Sequence, residues 1–512
     1  MKQSVRIAVA LAAVAGVAST GGAWYTGQQL PAHLSRTISE TNAEFKTLTP
    51  GLGVAVELEL LSLETGLFSS TAHYRVKAKG ELTTAGDVTK AIDDELLFVD
   101  RIEHGPFPLS RLMRLQLLPV MPTNNLELQS NPLVEPWFAA TKGLPPFSVQ
   151  ASVGYTGNVN STLKLQAFDI NKDSASLKFS GLDINARVGA ERKSFNLDGN
   201  MDSLVLVGED QSQIQLHGLT LRNDSVMGAS GLYLGSSESQ LKQVQLLFPA
   251  QPPLLINNMR QTGLLEEGKA GVFGNFTYGI GMFNFAGKDL GSLELAGSVK
   301  NLNTLALKDL SELYKQLISN VNAADASNPA LDLSTEQKSK LEAIMATLLA
   351  DKPVLALDNL AVKTANGESR VNLSLGLNKP SAFDLPPDVL AMQTLASLDA
   401  RVQVSKTMIK DVVMNQAAFD PSIDPQAAQQ QAEQMAEMAG MMAVGTQLAV
   451  VDGDNIVASL KYADGQVELN GRKMPLDEFM AMGMGMAGGM GGVPVDVGAA
   501  DYSEAPAETP VE

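Results

Sequence analysis

Residues 175–188 read ASLKFSGLDINARV, and this stretch shows the pattern that decides the fold class. Apolar side chains stand at every second position up to Phe179 and again from Leu182 to Val188. A period of two is typical of strands with one buried face, and the glycine and asparagine residues favour tight connections. The stretch therefore predicts short antiparallel strands.

The same pattern extends over about residues 150–300, where Gly, Asn and Asp separate the apolar alternations. Frequent turn residues and polar alternate positions favour an antiparallel meander over parallel βαβ units. Further apolar pairs of this kind are Leu163 with Leu165, Leu204 with Leu206, and Ile214 with Leu216. We therefore predict a strand-dominated α+β protein, with a large antiparallel meander that forms either a sandwich or an open groove.

A loose internal repeat accompanies the strands. Residues 179–184, 216–221 and 357–362 share one order of residue types: apolar, polar, small, apolar, polar, apolar. Recurrence of one short pattern indicates related structural units. We interpret the three segments as related strand units.

Four stretches show helical spacing instead. Apolar residues recur at intervals of three and four over residues 27–47, 310–321, 334–349 and 426–444. Ser334 and Gln337 form a capping box before the third stretch. The second and third stretches predict a helical hairpin inserted between strands, and the fourth predicts a helix rich in Gln, Ala and Met.

The N-terminus has the layout of a membrane anchor. Lys2 and Arg6 precede an uncharged run from Ile7 to Tyr25, whose 19 residues would span about 28 Å as a helix. Trp24 and Tyr25 suit the headgroup layer at the exit, and the cations indicate a cytoplasmic N-terminus. A cleaved signal peptide is the alternative, but the length favours retention. We predict a single-pass inner-membrane protein with a periplasmic body and with membrane lipids as partners.

These patterns divide the chain into five predicted parts. They are the anchor at 1–26, a β-rich periplasmic lobe at 27–300, the helical hairpin at 301–352, a second β lobe at 353–478, and a Gly/Met-rich and then acidic disordered tail at 479–512.

Composition excludes several function classes. The net charge is −18 and the pI is near 4.8, which argues against nucleic-acid partners because phosphate binding needs clustered Lys and Arg. There is no cysteine, so disulfides, thiolate nucleophiles and cysteine metal sites are excluded. Hydrophobic residues make up 45% of the chain, as in folded proteins.

No motif of enzyme chemistry is readable. The four histidines are scattered, and neither a nucleophile elbow nor a phosphate-binding loop is present. Gly483, Gly485 and Gly488 match dinucleotide spacing, but no strand precedes them and too little chain follows. We therefore predict a non-enzymatic protein without a metal or cofactor. Cu(I) binding is a weaker alternative for the methionine-rich segments, which hold Met435, Met438, Met441, Met442, Met474, Met480, Met482, Met484, Met486 and Met490.

Three stretches resemble the YdgA family of bacterial envelope proteins: residues 23–29 around Trp24, residues 102–111, and residues 469–479. The resemblance implies an inner-membrane protein with one N-terminal span. It carries over no catalytic residue, because the family has no known biochemical function. The family-motif residues are His104, Gly105, Pro106, Phe107, Pro108, Gly471 and Pro475.

Two functions fit these expectations best. The first is an envelope scaffold that binds protein partners or further copies of this chain. The alternative is binding of lipid or acyl chains by an apolar sheet face, because a one-sided sheet must cover that face with something. An envelope hydrolase that uses carboxylates from distant strands ranks lower, beside Cu(I) binding.

Overall fold

A computed structural model describes residues 30–48, 54–84, 88–104, 108–115, 120–320, 333–419 and 422–489. Within these residues, 22 strands join in a single antiparallel sheet with helices around it. The prediction of a strand-dominated α+β protein with a large antiparallel sheet is confirmed.

The strands of the first half are β1 Val54–Thr65, β2 Ser69–Thr84, β3 Val88–Glu103, β4 Thr123–Leu128, β5 Phe147–Val153, β6 Val159–Leu165, β7 Phe168–Lys172, β8 Ala175–Phe179, β9 Leu182–Val188, β10 Ser194–Val207 and β11 Gln213–Met227. Those of the second half are β12 Tyr233–Leu247, β13 Leu254–Gly268, β14 Gly271–Phe285, β15 Lys288–Leu302, β16 Val354–Lys363, β17 Glu368–Leu377, β18 Leu395–Ser405, β19 Val450–Asp452, β20 Asn455–Ala463, β21 Gln466–Leu469 and β22 Arg472–Pro475.

The helices are α1 Leu30–Leu48, α2 Leu109–Met113, α3 Glu135–Ala140, α4 Thr304–Asn320, α5 Thr335–Ala350, α6 Pro387–Thr394, α7 Lys406–Ala418, α8 Pro425–Gly445 and α9 Leu476–Gly489. The predicted capping box is present at the start of α5, where the Ser334 side chain accepts from the Gln337 N–H and the Gln337 side chain accepts from the Ser334 N–H.

Strand pairing follows chain order almost throughout. The spatial order is β1-β2-β3-β4-β5-β6-β9-β10-β11-β12-β13-β14-β15-β16-β17-β18-β20-β21-β22. The short β8 also pairs with β10 and carries β7 at its edge, and β19 pairs with β20. Neighbours in sequence are thus neighbours in space, as the predicted meander requires.

The long central strands share one irregularity. From Ile280 to Phe283, β14 advances three residues while β15 advances only two, from Leu293 to Gly291. This pairing of three residues against two is a β-bulge, and the next pair, Asn284 with Asp289, restores the original register. Because opposed residues share a face of the sheet, and so do residues two apart in one strand, Ile280 and Phe283 lie on the same face.

The same three-residue step crosses the neighbouring strands in register. It separates two apolar rows whose members oppose one another from strand to strand. The first apolar row is Met201, Leu219, Leu241, Met259, Ile280, Leu293 and Val362. The second apolar row is Phe179, Leu204, Leu216, Val244, Ile256 and Phe283. Both rows therefore lie on one face, although strict alternation would place them on opposite faces.

Left-handed backbone marks this step on every second strand. Positive φ angles occur at Gly181 (97°) before β9, Gly218 (69°) in β11, Asn258 (55°) in β13 and Gly291 (129°) in β15. Glycine and asparagine tolerate this conformation best, which explains the small residue of the first two repeat segments, Gly181 and Gly218. Segments 179–184 and 216–221 span the aligned step, and 357–362 spans a bulge between Leu357 and Leu360 in β16.

Helices cover the apolar face at the N-terminal end of the sheet. Leu34 and Phe45 of α1 and Trp137 of α3 pack with the strands, and Phe98 and Phe147 are fully buried beneath them. Asn42 of α1 also exchanges two hydrogen bonds with the backbone of Leu58, at 2.8 and 2.9 Å. The α1 helix thus closes the core and occupies hydrogen-bonding groups on the free edge of β1.

A smaller core covers the apolar face at the C-terminal end. Leu476 and Phe479 of α9 pack on Val467, Leu469 and Met474. The chain from residue 479 was expected to be disordered, whereas α9 continues to Gly489, and Phe479 and Met482 of this helix pack on the core. Residues 490–512 of that predicted tail lie outside the described residues.

Helix α4 indicates that the sheet is bent. It begins directly after β15 and yet contacts α1, which packs on β1. In a flat sheet β1 and β15 would lie about 60 Å apart, at about 4.8 Å per strand. Helix α4 spans only about 26 Å, and α1 is held on the first strands because Leu34 and Phe45 both lie in their core. We infer that the sheet curls toward the face on which α1 packs.

The predicted localisation needs correction. Among the described residues, none of the helices has the length and apolar character that crossing a bilayer requires. This finding contradicts the prediction of a single-pass inner-membrane protein, and we do not retain it. The predicted anchor, residues 1–26 with Lys2, Arg6, Trp24 and Tyr25, lies outside the described residues.

We expect Gly218→Ala to lower the free energy of unfolding by about 1–2 kcal/mol, because a Cβ atom disfavours left-handed backbone. It would also approach the Lys242 side chain to 2.6 Å. The control is Gly279→Ala in β14, where φ is not positive and the closest contact is 3.9 Å. Urea unfolding measures both variants, and equal losses would contradict the assignment of the step.

Candidate functional site

The candidate site is the middle of the apolar face, over β9–β18. Strand pairing places the following side chains there: Ile184, Val188, Leu197, Met201, Leu204, Leu206, Ile214, Leu216, Leu219, Leu221, Leu241, Val244, Leu246, Leu254, Ile256, Met259, Phe276, Tyr278, Ile280, Phe283, Phe285, Leu293, Leu295, Leu355, Leu357, Leu360, Val362, Val371, Leu373, Leu375, Leu398 and Val402. We call this surface the central apolar face.

The central apolar face is only half covered. Of its side chains, Met201 and Ile280 are buried, and the others remain partly or well exposed. Phe276, Leu355 and Val362 are 46%, 39% and 40% exposed, whereas Phe98 on the same face beneath α1 is 0% exposed. Apolar surface of this extent on a folded protein marks a binding site more often than an accident of packing.

The opposite face of the same strands is charged. Arg222 pairs with Asp198 at 3.3 Å, and Arg260 pairs with Glu238 at 3.0 Å. These residues alternate with those of the central apolar face in β10–β13. Polarity therefore identifies the charged face as the one exposed to water and the central apolar face as the one that needs a cover.

Helix α7 borders the central apolar face at the turn between β16 and β17. Asp411 accepts hydrogen bonds from the Thr364 hydroxyl and from the Asn366 backbone and side chain, at 2.5–2.9 Å. Partial burial opposes ionisation, but these hydrogen bonds hold the pKa of Asp411 below its usual value. At the other end of α7, Phe419 packs edge-on against Phe285 at 4.9 Å.

The first family motif lies at the N-terminal core instead. His104 Nε2 is 3.0 Å from the Ser70 hydroxyl, and His104 Nδ1 is 3.2 Å from the Leu67 carbonyl oxygen. The carbonyl can only accept, so Nδ1 carries the proton and Ser70 donates to Nε2. Pro108 is buried, and Gly105, Pro106 and Phe107 lie outside the described residues.

A serine that donates to histidine resembles a nucleophile and its base. Here, however, Ser70 is 2% exposed, at the second pair of the β2–β3 ladder, opposite Ile102. The third position of a triad is taken by the Leu67 carbonyl, which lacks the negative charge that stabilises an imidazolium. The pair is therefore suited to fixing the turn before β2.

The second family motif is a hairpin turn. Asn470 and Gly471 have φ angles of 50° and 83° and join β21 to β22, as expected for a two-residue type I′ turn. Asn470 Nδ2 also donates to the Leu448 carbonyl at 3.0 Å, and Pro475 pairs with Gln466 at the end of β22. The motif residues that the structure describes are thus distributed over two structural turns outside the central apolar face.

The methionines do not form one group. Met474 is buried in the C-terminal core, whereas Met435, Met438, Met441 and Met442 on α8 are 40–68% exposed. In the described part of the chain, three or more His, Asp or Glu side chains nowhere converge as metal ligands would.

The sequence analysis did not single out one buried carboxyl group, that of Asp100. Asp100 is 2% exposed in the core beneath α1, where Oδ2 accepts from Asn124 Nδ2 at 3.0 Å and Oδ1 has no partner among the described residues. Burial raises the pKa of Asp100 to about 7. Burial and the Asp100 charge together raise the pKa of Tyr74.

This carboxyl group should make stability depend on pH. Its pKa is higher in the folded protein than in the unfolded chain, so its ionisation weakens the fold as pH rises from about 4 to about 7, by an amount on the order of 4 kcal/mol. Asp100→Asn should remove this loss and be more stable than the parent at pH 8. The exposed Asp202→Asn is the control, and urea unfolding between pH 4 and 8 is the measurement. Parallel curves for parent and Asp100→Asn would contradict the assignment.

Comparisons with known proteins define the class. Residues 1–477 match the model of a family described as bacterial protein of unknown function (DUF945). The chain belongs to this family, which confirms the resemblance seen in the sequence.

Relatives extend over nearly the whole chain. Protein YdgA of Escherichia coli (strain K12) is 28% identical over 490 residues, which cover 93% of this chain and 96% of that protein. The uncharacterized protein YihF of the same organism is 22% identical over 489 residues, covering 94% and 98%. An uncharacterized protein of Haemophilus influenzae is 24% identical over 181 residues, covering 35% and 46%. No solved structure matches the chain.

Proposed function

We propose that the protein binds an extended acyl chain on the central apolar face. The observation that carries this proposal is the pair of apolar rows, which run side by side across the sheet with no interruption. The first apolar row crosses seven strands, from Met201 to Val362, which is about 29 Å at 4.8 Å per strand. An extended hydrocarbon chain fits a strip of this shape.

The chemistry of the face favours a hydrocarbon over a polypeptide. The backbone N–H and C=O groups of a central strand bond to its two neighbours, so the face offers few hydrogen bonds to a partner's backbone. An acyl chain has no such groups to satisfy. Each methylene that leaves water contributes up to about 0.8 kcal/mol.

The bulged step supports a groove along the rows. Bulges bend the strands that contain them and increase the local twist. Strands β10–β14 all contain the three-residue step at the same level. In addition α1, which packs on β1, contacts α4, which follows β15. We therefore propose an open groove rather than a sandwich, with the ligand perpendicular to the strands.

We expect Leu241→Gln to weaken binding of a fluorescent fatty acid about tenfold, because a half-buried leucine contributes roughly 1.5 kcal/mol to burial of the chain. Leu241 stands at the centre of the first apolar row, between Leu219 and Met259. The control is Thr220→Gln on the opposite face, which should bind like the parent. Equal affinities of both variants would contradict the site.

A second variant distinguishes loss of the binding surface from loss of folding. Leu241→Trp keeps the row apolar, and its emission should be quenched by a brominated acyl chain. The same tryptophan at Thr220 should not be quenched. Each methylene added to the ligand should also raise the affinity up to about fourfold, because burial of one methylene contributes up to about 0.8 kcal/mol.

Partner binding, the other expected role, has separate support on α8. The four methionines of α8 are exposed on this helix, whose small residues Ala428, Ala432 and Ala436 are buried. Methionine is common on surfaces that adapt to partners. A photoreactive residue at Met441 should cross-link such a partner, while one at Thr220 should not; absence of a product at both positions would count against this role.

A further inference from the structure

The second apolar row ends at an aromatic cluster. Phe168 of β7 opposes Phe179, the first residue of the row, and their ring centroids are 5.2 Å apart. Trp137 of α3 packs edge-on against Phe168, with 6.3 Å between the two ring centroids. Among the described strands β7 pairs only with β8, so no strand there continues the row beyond Phe168. The indole ring of Trp137 therefore stands at the end of the row.

Helix α3 holds this indole ring in a fixed position. Just before the helix, Asn131 Nδ2 donates to the Glu95 carbonyl at 2.9 Å. Asn131 Oδ1 accepts from the N–H groups of Leu133 and Val134, both at 3.1 Å. Val134 is 1% exposed in the N-terminal core, and Trp137 packs against the same core. A ring that a core supports on one side is suited to limiting what lies on its other side.

The row has a limited length. From Phe168 to Phe283 it crosses seven strands, which is about 29 Å at about 4.8 Å per strand. The next residue along it is Gly291 of β15, where a Cβ atom would lie only 1.8 Å from the Lys363 carbonyl oxygen. An extended hydrocarbon chain advances about 1.25 Å per carbon, given a bond length of about 1.5 Å and a bond angle of about 111°. The row therefore accommodates at most about 23 carbons.

The two ends of the row differ in polarity. The three aromatic rings at the β7 end are each partly exposed, and they carry no charge. At the other end Gly291 adjoins Thr364, whose hydroxyl donates to the Asp411 carboxylate. The aromatic end therefore suits the methyl end of an acyl chain, and the polar end of the ligand lies toward β15.

We propose that Trp137 stops the methyl end of the acyl chain and so sets the longest chain that the second apolar row accepts. The assignment rests on the function proposed above and adds a residue that determines chain-length specificity. Each methylene gains free energy only while it lies on the row, so carbons beyond the stop add nothing or force the chain to bend. Trp137 acts here by its position and volume, without a polar contact to the ligand.

The test uses the full chain and displaces the fluorescent fatty acid with saturated fatty acids delivered from cyclodextrin. Chains of about 14 to 28 carbons bracket the length of the row at about 1.25 Å per carbon. The variants are Trp137→Ala and Trp137→Phe. Nε1 of Trp137 is buried without a partner among the described residues, so neither substitution leaves another polar group unpaired there. The control is Phe138→Ala, which removes a ring from the same helix and the same core.

We expect the affinity of the parent to rise with chain length up to a limit at or below about 23 carbons and then to stop rising. Because the indole centroid lies 6.3 Å from that of Phe168, Trp137→Ala should move this limit by about five carbons, at about 1.25 Å per carbon. Trp137→Phe keeps a smaller ring and should move the limit by only about one or two carbons. Phe138→Ala should lower the unfolding temperature and keep the limit of the parent.

The outcomes separate this assignment from the proposed function. If Trp137→Ala shares the limit of the parent, or if Phe138→Ala moves the limit by the same amount, the stop is wrong while the acyl site stands. An affinity of the parent that keeps rising over the whole series would also overturn the stop. If Trp137→Ala does not fold, the shift in Trp137→Phe decides. If the parent binds none of the fatty acids, the proposed function fails and the stop with it.

Discussion

When one strand of a sheet shifts its alternation by a residue, the strands paired with it must shift at the same level. This constraint determines which side chains share a face, and so which face can bind a ligand. A single bulge would shift one strand against its neighbours, whereas here the three-residue step crosses β10–β14 in register. The hydrophobic pattern shifts by one position at that step in each strand. As a result the apolar side chains keep to one face over the whole length of strands 14–15 residues long.

The position of the helices turns that face into a candidate site. Helices α1 and α3 cover it over β1–β5, and α9 covers it at β20–β22. The hairpin of α4 and α5 uses its own apolar stripe internally, where Leu313 packs with Ile344. The central strands therefore keep an apolar surface that the described helices leave half open.

Much of the fold could be predicted from local sequence. Helix α7 was missed, although the residue that caps its N-terminus can be recognised in the sequence. Alternation predicted the meander, and the capping box predicted the start of α5. Helix α7 was missed although Ile409, Val412 and Val413 stand at helical spacing, because β-branched side chains favour strands. Its N-cap was readable: Ser405 precedes the helix, and its hydroxyl accepts from the Met408 N–H at 3.2 Å.

The candidate site was less accessible to sequence reasoning. The repeat at 179–184, 216–221 and 357–362 was visible, but only strand register shows that the small residue marks a bulge and not a turn. The apolar rows form because β10–β16 pair in register, and Asp100 is buried between Ala72 of β2 and Leu126 of β4. Such long-range placements carry no local signature, since each residue is ordinary within its own segment.

The most direct test of the account is a nitroxide scan along β12, for which the absence of cysteine makes the chain well suited. Spin labels at positions 239–246, one at a time, report accessibility to apolar oxygen and to a polar nickel complex. The account predicts that 241, 244 and 246 behave alike and favour oxygen, with the phase shift between 241 and 244. Regular alternation, in which 241, 243 and 245 behave alike, would contradict the continuous apolar face.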